Sequence, residues 1–265
     1  MFHFEFNKET KSFQAWLKFL RIYFPLNLCS YHIEALKDMQ SISDSSISLD
    51  QKNNLILRLC FKTKSKSLDY SKTLGVDLGI AKPIVCSDGK QFGSGKHIKH
   101  TKIEFGKKRA RNSKKKEQIS QKQSRWTDNL NHKLSRELVN HCLSQEIGVL
   151  SLENLKGSHL ACKKFRKYNW AFKDLISKIK YKAECTGLKV VSVDPKYTSQ
   201  TCNACGQKSG DNRKTQSLYE CSSCGARVNA DINAAKNIRD LSVSNDLHVN
   251  LGKGKALNPE ALIVK

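Results

Sequence analysis

The chain is expected to be an α/β protein, with a mixed sheet, flanking helices and a small inserted module built on four cysteines. Three observations lead there. The runs NLILRLCF (54–61), LGVDLGI (74–80), IGVLSLENLKG (147–157) and KVVSVDP (189–195) read as strands. Between them lie two segments of helical period, marked by Trp126, Leu130, Leu134 and Leu138 and by Phe172, Leu175, Ile176 and Ile179. Finally, Cys202 and Cys205, then Cys221 and Cys224, form two C-x-x-C pairs with fifteen residues between them.

Taken in order, residues 11–21 place Phe13, Trp16, Leu17 and Leu20 at i, i+3, i+4 and i+7, which predicts a helix that Pro25 stops. SISDSSIS (41–48) reads as a serine-rich connection, and 54–61 as a strand with Leu55, Leu57, Leu59 and Phe61 on one face. In 74–80, alternation sends Leu74, Val76 and Leu78 one way and Gly75, Asp77 and Gly79 the other. The glycines leave room for something to approach the Asp77 carboxylate. Residues 83–93 read as a hairpin turning through Asp88 and Gly89, and 102–146 as helix interrupted near Gly106. Glu153 emerges at the end of the 147–157 strand. Asp231 shares a helical face with Ala234, Ala235 and Ile238, so it is directed inward, where a carboxylate needs a partner or a metal. Residues 242–265 are polar and glycine-interrupted, and read as a tail.

Two C-x-x-C turns place four thiolates, Cys202, Cys205, Cys221 and Cys224, on one tetrahedral ion, with Gly206 and Gly225 permitting each tight knuckle. This is the spacing of a zinc ribbon. Four thiolates leave no open coordination position, so one Zn²⁺ is expected as architecture. The matched pairs argue against ordinary buried thiols or disulfides. The other six cysteines (Cys29, Cys60, Cys86, Cys142, Cys162, Cys185) show no paired spacing and read as buried or free thiols.

The formal net charge is +23. Residues 71–200 hold 28 basic against 11 acidic residues, a balance of +17, whereas the segments on either side carry +3 each. Residues 96–125 alone contain twelve Lys or Arg against Glu104 and Glu117. Such a one-signed field points to a polyanion, nucleic acid ahead of an anionic membrane. The expected backbone-gripping residues are Lys107, Lys108, Arg109, Arg111, Lys114, Lys115, Lys116 and Arg125. No run of about 18 apolar residues occurs, and MFHFEFNKETKSF lacks the features of a signal peptide. A cytoplasmic, nucleoid-associated protein is therefore expected.

Three carboxylates on a strand, a strand end and a helix start, within a basic domain, can together hold hard cations that bridge to phosphate oxygens. Taken singly, each would read equally well as a cap or a salt bridge. Together with their surroundings they resemble a known family. LGVDLGI with Asp77, LSLENLKG with Glu153, and the ribbon followed by NADINAAKNI with Asp231 resemble the three RuvC motifs of the TnpB family. These are OrfB-type proteins of insertion sequences, related to the type V CRISPR effectors. DNLNHKLSRELV (128–139) and YTSQTCNACG (197–206) also match, and the resemblance covers about residues 54–240.

The resemblance implies an RNase H-like (RuvC) core with the zinc ribbon inserted before its last helix. It also implies Asp77, Glu153 and Asp231 as catalytic acids holding two Mg²⁺, and a transposon-derived guide RNA that directs DNA cleavage. The domains would be a shortened N-terminal recognition and wedge remnant (1–73), nuclease core (74–200), ribbon (201–226), last core helix (227–242) and tail (243–265). Only 76 residues precede Asp77, fewer than family members usually carry. Two other functions therefore stay open: a nucleic-acid-binding remnant or regulator that cuts little, and a transposase acting directly on element ends.

Overall fold

From a computed structural model we describe residues 2–7, 12–17, 21–37, 39–50, 53–63, 68–154, 171–246 and 260–264. The chain divides into two compact units, residues 1–66 with 256–265, and residues 67–255.

The smaller unit begins with an antiparallel meander of β1 (Phe2–Asn7), β2 (Ser12–Leu17) and β3 (Ile22–Pro25). Where a helix was expected over 11–21, residues 12–17 are instead strand β2; residues 11 and 18–20, Leu20 among them, lie outside the described residues. A helical apolar spacing is no guide where aromatic residues find pairing partners on both sides. Ala15 is buried against Leu57, Leu59 and Phe61, while Trp16 sits opposite Tyr23 with ring centroids 4.6 Å apart. Helix α1 (Ser30–Lys37) leads to β4 (Met39–Leu49), which pairs with β5 (Leu55–Thr63). The serine-rich 41–48 stretch is therefore strand rather than connection. Register shifts between Met39 and Ser41 and between Ile42 and Ser45 break the period-two pattern that would have disclosed it.

In the larger unit β6 (Asp69–Asp77), β7 (Ile84–Cys86) and β8 (Gln91–Phe92) run antiparallel, turning at Gly89 with φ +93°. Helix α2 (Gly95–Arg111) is capped by Ser94, whose side chain accepts from the His97 amide. It runs through Gly106, where the sequence predicted a break; a single helical glycine costs only about 1 kcal/mol. The break falls at Asn112 and a 3₁₀ turn, Ser113–Lys115, before α3 (Lys116–Ser144). There the like-charged KKRARNSKKK run offers Asn and Ser to compete for backbone hydrogen bonds. Then come β9 (Ile147–Glu153), α4 (Phe172–Cys185) and β10 (Lys189–Val193). A short hairpin of β11 (Leu218–Glu220) and β12 (Arg227–Asn229) precedes α5 (Ala230–Asp246).

The central sheet has the order β10-β9-β6-β7-β8, with β6, β9 and β10 parallel. On one face Leu74, Val76, Leu150 and Leu152 pack against Leu134 and Leu138 of α3 and Leu175 and Ile179 of α4. The opposite face is covered by α5. Gly75 and Ser151, paired across β6 and β9, both meet this helix. The Ser151 hydroxyl donates to the Ile238 carbonyl at 3.1 Å, and a Cβ on Gly75 would fall 2.1 Å from the Ala235 carbonyl oxygen. What Gly75 admits is therefore the backbone of α5. Gly75→Ala should destabilise the protein by about 3 kcal/mol, the upper range for overpacking, because the obstruction is backbone. Urea denaturation measures it, and an unchanged midpoint would mean that α5 is not seated here.

The last strand, β13 (Glu260–Val264), belongs to the smaller unit, where it pairs antiparallel with β5. The expected tail thus includes paired backbone, and α5 extends through Asp246. Of the isolated cysteines, Cys86 and Cys142 are buried in the main core, where desolvation raises both thiols, Cys142 to about 12. Cys162, like residues 155–157 of the 147–157 run, lies outside the described residues. Among the described residues no helix is long and apolar enough to cross a membrane.

Candidate functional site

Strand register brings the acidic residues to one end of the sheet. Val76 pairs with Leu152 across the parallel strands β6 and β9, so Asp77 and Glu153, one residue further on, end neighbouring strands about 4.8 Å apart. Asp231 arrives from the other side, in the first turn of α5, whose seat over Gly75 fixes its approach. Asn229 caps that helix, its side-chain oxygen accepting from the amides of Asp231 and Ile232 at 3.0 and 3.2 Å.

The electrostatics show Asp77 responding to the other two. Asp77 is pushed up to about 7, first by burial, then by repulsion from Glu153 and Asp231, with Arg213 opposing. Burial also raises Glu153, partly offset by the hydroxyl of Thr198, which donates to its carboxylate. Arg213 pairs with Asp231 at 2.9 Å and is itself held by the Gln216 carbonyl at 2.8 Å. One guanidinium, bonded to Asp231 and acting on Asp77, does not match the three carboxylates gathered in this partly desolvated place. An all-oxygen donor set of that charge fits hard divalent cations. The three carboxylates form a looser group than the cysteines, which among the described residues are the set with ligand atoms all within 4.8 Å of one another.

Those cysteines fit zinc closely. Sγ separations are 3.7 Å for Cys202–Cys224 and 3.6 Å for Cys205–Cys221. Tetrahedral thiolates at about 2.3 Å from an ion would be about 3.8 Å apart. Gly206 and Gly225, at φ +75° and +71°, donate to the Cys202 and Cys221 carbonyls and close the two knuckles. Behind them Tyr219 is fully buried, its hydroxyl donating to the Gln200 carbonyl.

The ribbon is bonded to α5 through asparagines. The Asn203 amide donates to Asn233, the Asn203 side chain to Asn237 and Asp240, and Asn237 to the carbonyls of Thr198 and Thr201. Thr198 reaches Glu153 and Arg213 reaches Asp231, so the ribbon segment supports two of the three acids. Sequence reasoning singled out none of Thr198, Arg213, Asn233 and Asn237. The asparagines had a signal, being polar at i and i+4 on the inward face of an alanine-rich helix; Arg213 had none.

Among the basic residues, Arg111, Lys114, Lys115, Lys116 and Arg125 are exposed along α2, the 3₁₀ turn and α3. Lys107 pairs with Glu104 at 2.9 Å, and Lys108 lies over the Phe105 ring. Arg109 is half-buried and donates to Gln123, bracing α2 against α3.

Residues 172–238 match the family described as Cas12f1-like, TNB domain. The chain is 31% identical over 214 residues to the CRISPR-associated endodeoxyribonuclease Cas12f1 of Sulfoacidibacillus thermotolerans, covering 71% of this chain and 50% of that one. It is 26% identical over 209 residues to the TnpB-like protein MJ0751 of Methanocaldococcus jannaschii, covering 71% and 74% respectively. The chain thus spans about half the length of the first of these relatives. Its fold is similar to that of Cas12f1 in a complex with sgRNA and target DNA, with a TM-score of 0.58, 21% identity, and coverage of 91% of this chain and 65% of that one.

Proposed function

We infer, from a chain that is a TnpB-type protein related to the type V CRISPR effectors, that it is an RNA-guided DNA endonuclease cutting phosphodiester bonds at Asp77, Glu153 and Asp231. The observation carrying this reading is the convergence of the three carboxylates at two parallel strand ends and a helix start. An RNase H-like core is supported by the strand order, three antiparallel strands continued by two parallel ones, with α5 covering one face.

The three acids would hold two Mg²⁺; when bound, such ions supply an activated water and stabilise the leaving oxygen. The chain's own residues do the rest. Thr198 orients the Glu153 carboxylate, Arg213 pairs with Asp231 and fixes its direction, and α5 holds Asp231 in place. The exposed cations of α2 and α3 would grip nucleic-acid backbone without reading sequence, leaving specificity to a transposon-derived guide RNA.

The test is an oligonucleotide cleavage assay on protein purified with its RNA, with and without Mg²⁺, beside Glu153→Ala, with the RNA sequenced from the same sample. We expect Mg²⁺-dependent cutting that follows the RNA sequence, reduced on the order of 10³-fold in the variant. Nucleic-acid binding with no Glu153-dependent cutting would replace the nuclease reading with that of a binding protein, and joining of a supplied element end would replace it with a transposase.

A further inference from the structure

Tyr197 is held in an expensive conformation. Its φ is +64°, in the left-handed region, where five described glycines of this chain also lie. Among the described residues the other non-glycine positions with positive φ are Arg21, Asn53 and Glu146, none of them aromatic. A bulky L-residue there costs on the order of 1 kcal/mol, so the surroundings must impose the conformation. They do so through the Tyr197 carbonyl, which accepts from the Gln200 amide at 3.0 Å and from the Thr201 amide and hydroxyl, each at 2.9 Å. The ring itself takes no part in that clamp. It is 55% exposed, and the Lys208 ammonium stands 5.0 Å from its centroid.

The next residue is Thr198, buried and bonded to Glu153. Bond lengths place the Tyr197 Cα within about 9 Å of the Glu153 carboxylate, two or three stacked nucleotide steps of about 3.4 Å. A rigid, exposed ring at that distance, with Lys208 against it and Lys196 exposed beside it, combines a π face with phosphate-binding charge.

We propose that Tyr197 is a stacking platform for a nucleobase of the single strand entering the acidic site, with Lys208 holding the adjoining phosphate. The left-handed turn fixes the ring's direction, so that a strand stacked on it is presented to the carboxylates in one register. This rests on the nuclease reading for its purpose, but not for its test.

Binding and photocrosslinking of an oligothymidylate containing 5-iododeoxyuridine, in buffer without magnesium, examine it directly. The crosslink is expected on Tyr197 by peptide mapping, retained in Tyr197→Phe and lost in Tyr197→Asn. The asparagine variant should bind about tenfold more weakly, the typical loss for one stacked base. Its melting temperature should not fall, because asparagine tolerates the left-handed region. Crosslinks only at other residues, an asparagine variant that binds like the parent, or one that melts well below it, would each overturn the proposal. Since no cutting is required, a crosslink at Tyr197 in a protein that fails the cleavage assay would sink the nuclease reading and leave the platform standing.

Discussion

At pH 8 and without divalent metal, Asp77→Asn should melt about 5 °C above the parent protein, while its Mg²⁺-dependent cleavage falls on the order of 10³-fold. Both effects have one cause. An acid whose folded pKa is raised from 3.8 to about 7 binds its proton more tightly in the folded state than in the unfolded one. The folded protein therefore loses stability as pH rises from about 4 to about 7, and the loss stays constant above that. Three units correspond to at most about 4 kcal/mol, reduced here because the side chain is only partly sealed from water. Asparagine fills the same place without the charge. At pH 4 the two proteins should melt together, and added Mg²⁺ should raise the parent and leave the variant where it was. A variant less stable than the parent at pH 8 would show that Asp77 is a structural hydrogen-bonding residue.

Removing zinc should have the second large effect, and its reach is set by the asparagine links. Structural zinc in small modules contributes on the order of 10 kcal/mol, so chelation or Cys202→Ser should unfold the ribbon. With it go the bonds from Asn203 to Asn233 and Asn237, and from Arg213 to Asp231. Thr198 loses the hold of Asn237 and with it the placement of Glu153. Hydrogen exchange should rise together over 198–240, while β6 and α3, tied through the Leu74–Leu138 core, stay protected. Cleavage should disappear at the same metal loss. If verified loss of zinc left exchange in α5 and the melting temperature unchanged, the ribbon would be peripheral to the acidic site.

The larger unit was legible because its signals are local. Leu74 and Val76, Leu150 and Leu152, and the α3 and α4 stripes carry their period in contiguous residues and lie where that period placed them. The smaller unit was misread at 11–21 and 41–48. Whether a short aromatic segment pairs as strand depends on partners elsewhere in the chain, and register shifts erase the alternation that would have announced it. The break between α2 and α3 was misplaced because glycine is a weak interruption when the remaining helical hydrogen bonds persist.

The sequence by itself determined the chemistry that is available: four thiolates at zinc-ribbon spacing, three carboxylates at element ends, and a concentrated basic segment. Those follow from residue type and short-range order. Only the tertiary structure decided what those groups do to each other. The parallel register of β6 and β9 sets Asp77 beside Glu153, and Gly75 lets α5 close enough to add Asp231. It also decided that Thr198, 45 residues along the chain from Glu153, and Arg213, 18 residues from Asp231, reach those carboxylates. Contacts of that kind are fixed by packing between segments far apart in sequence, and no local pattern encodes them.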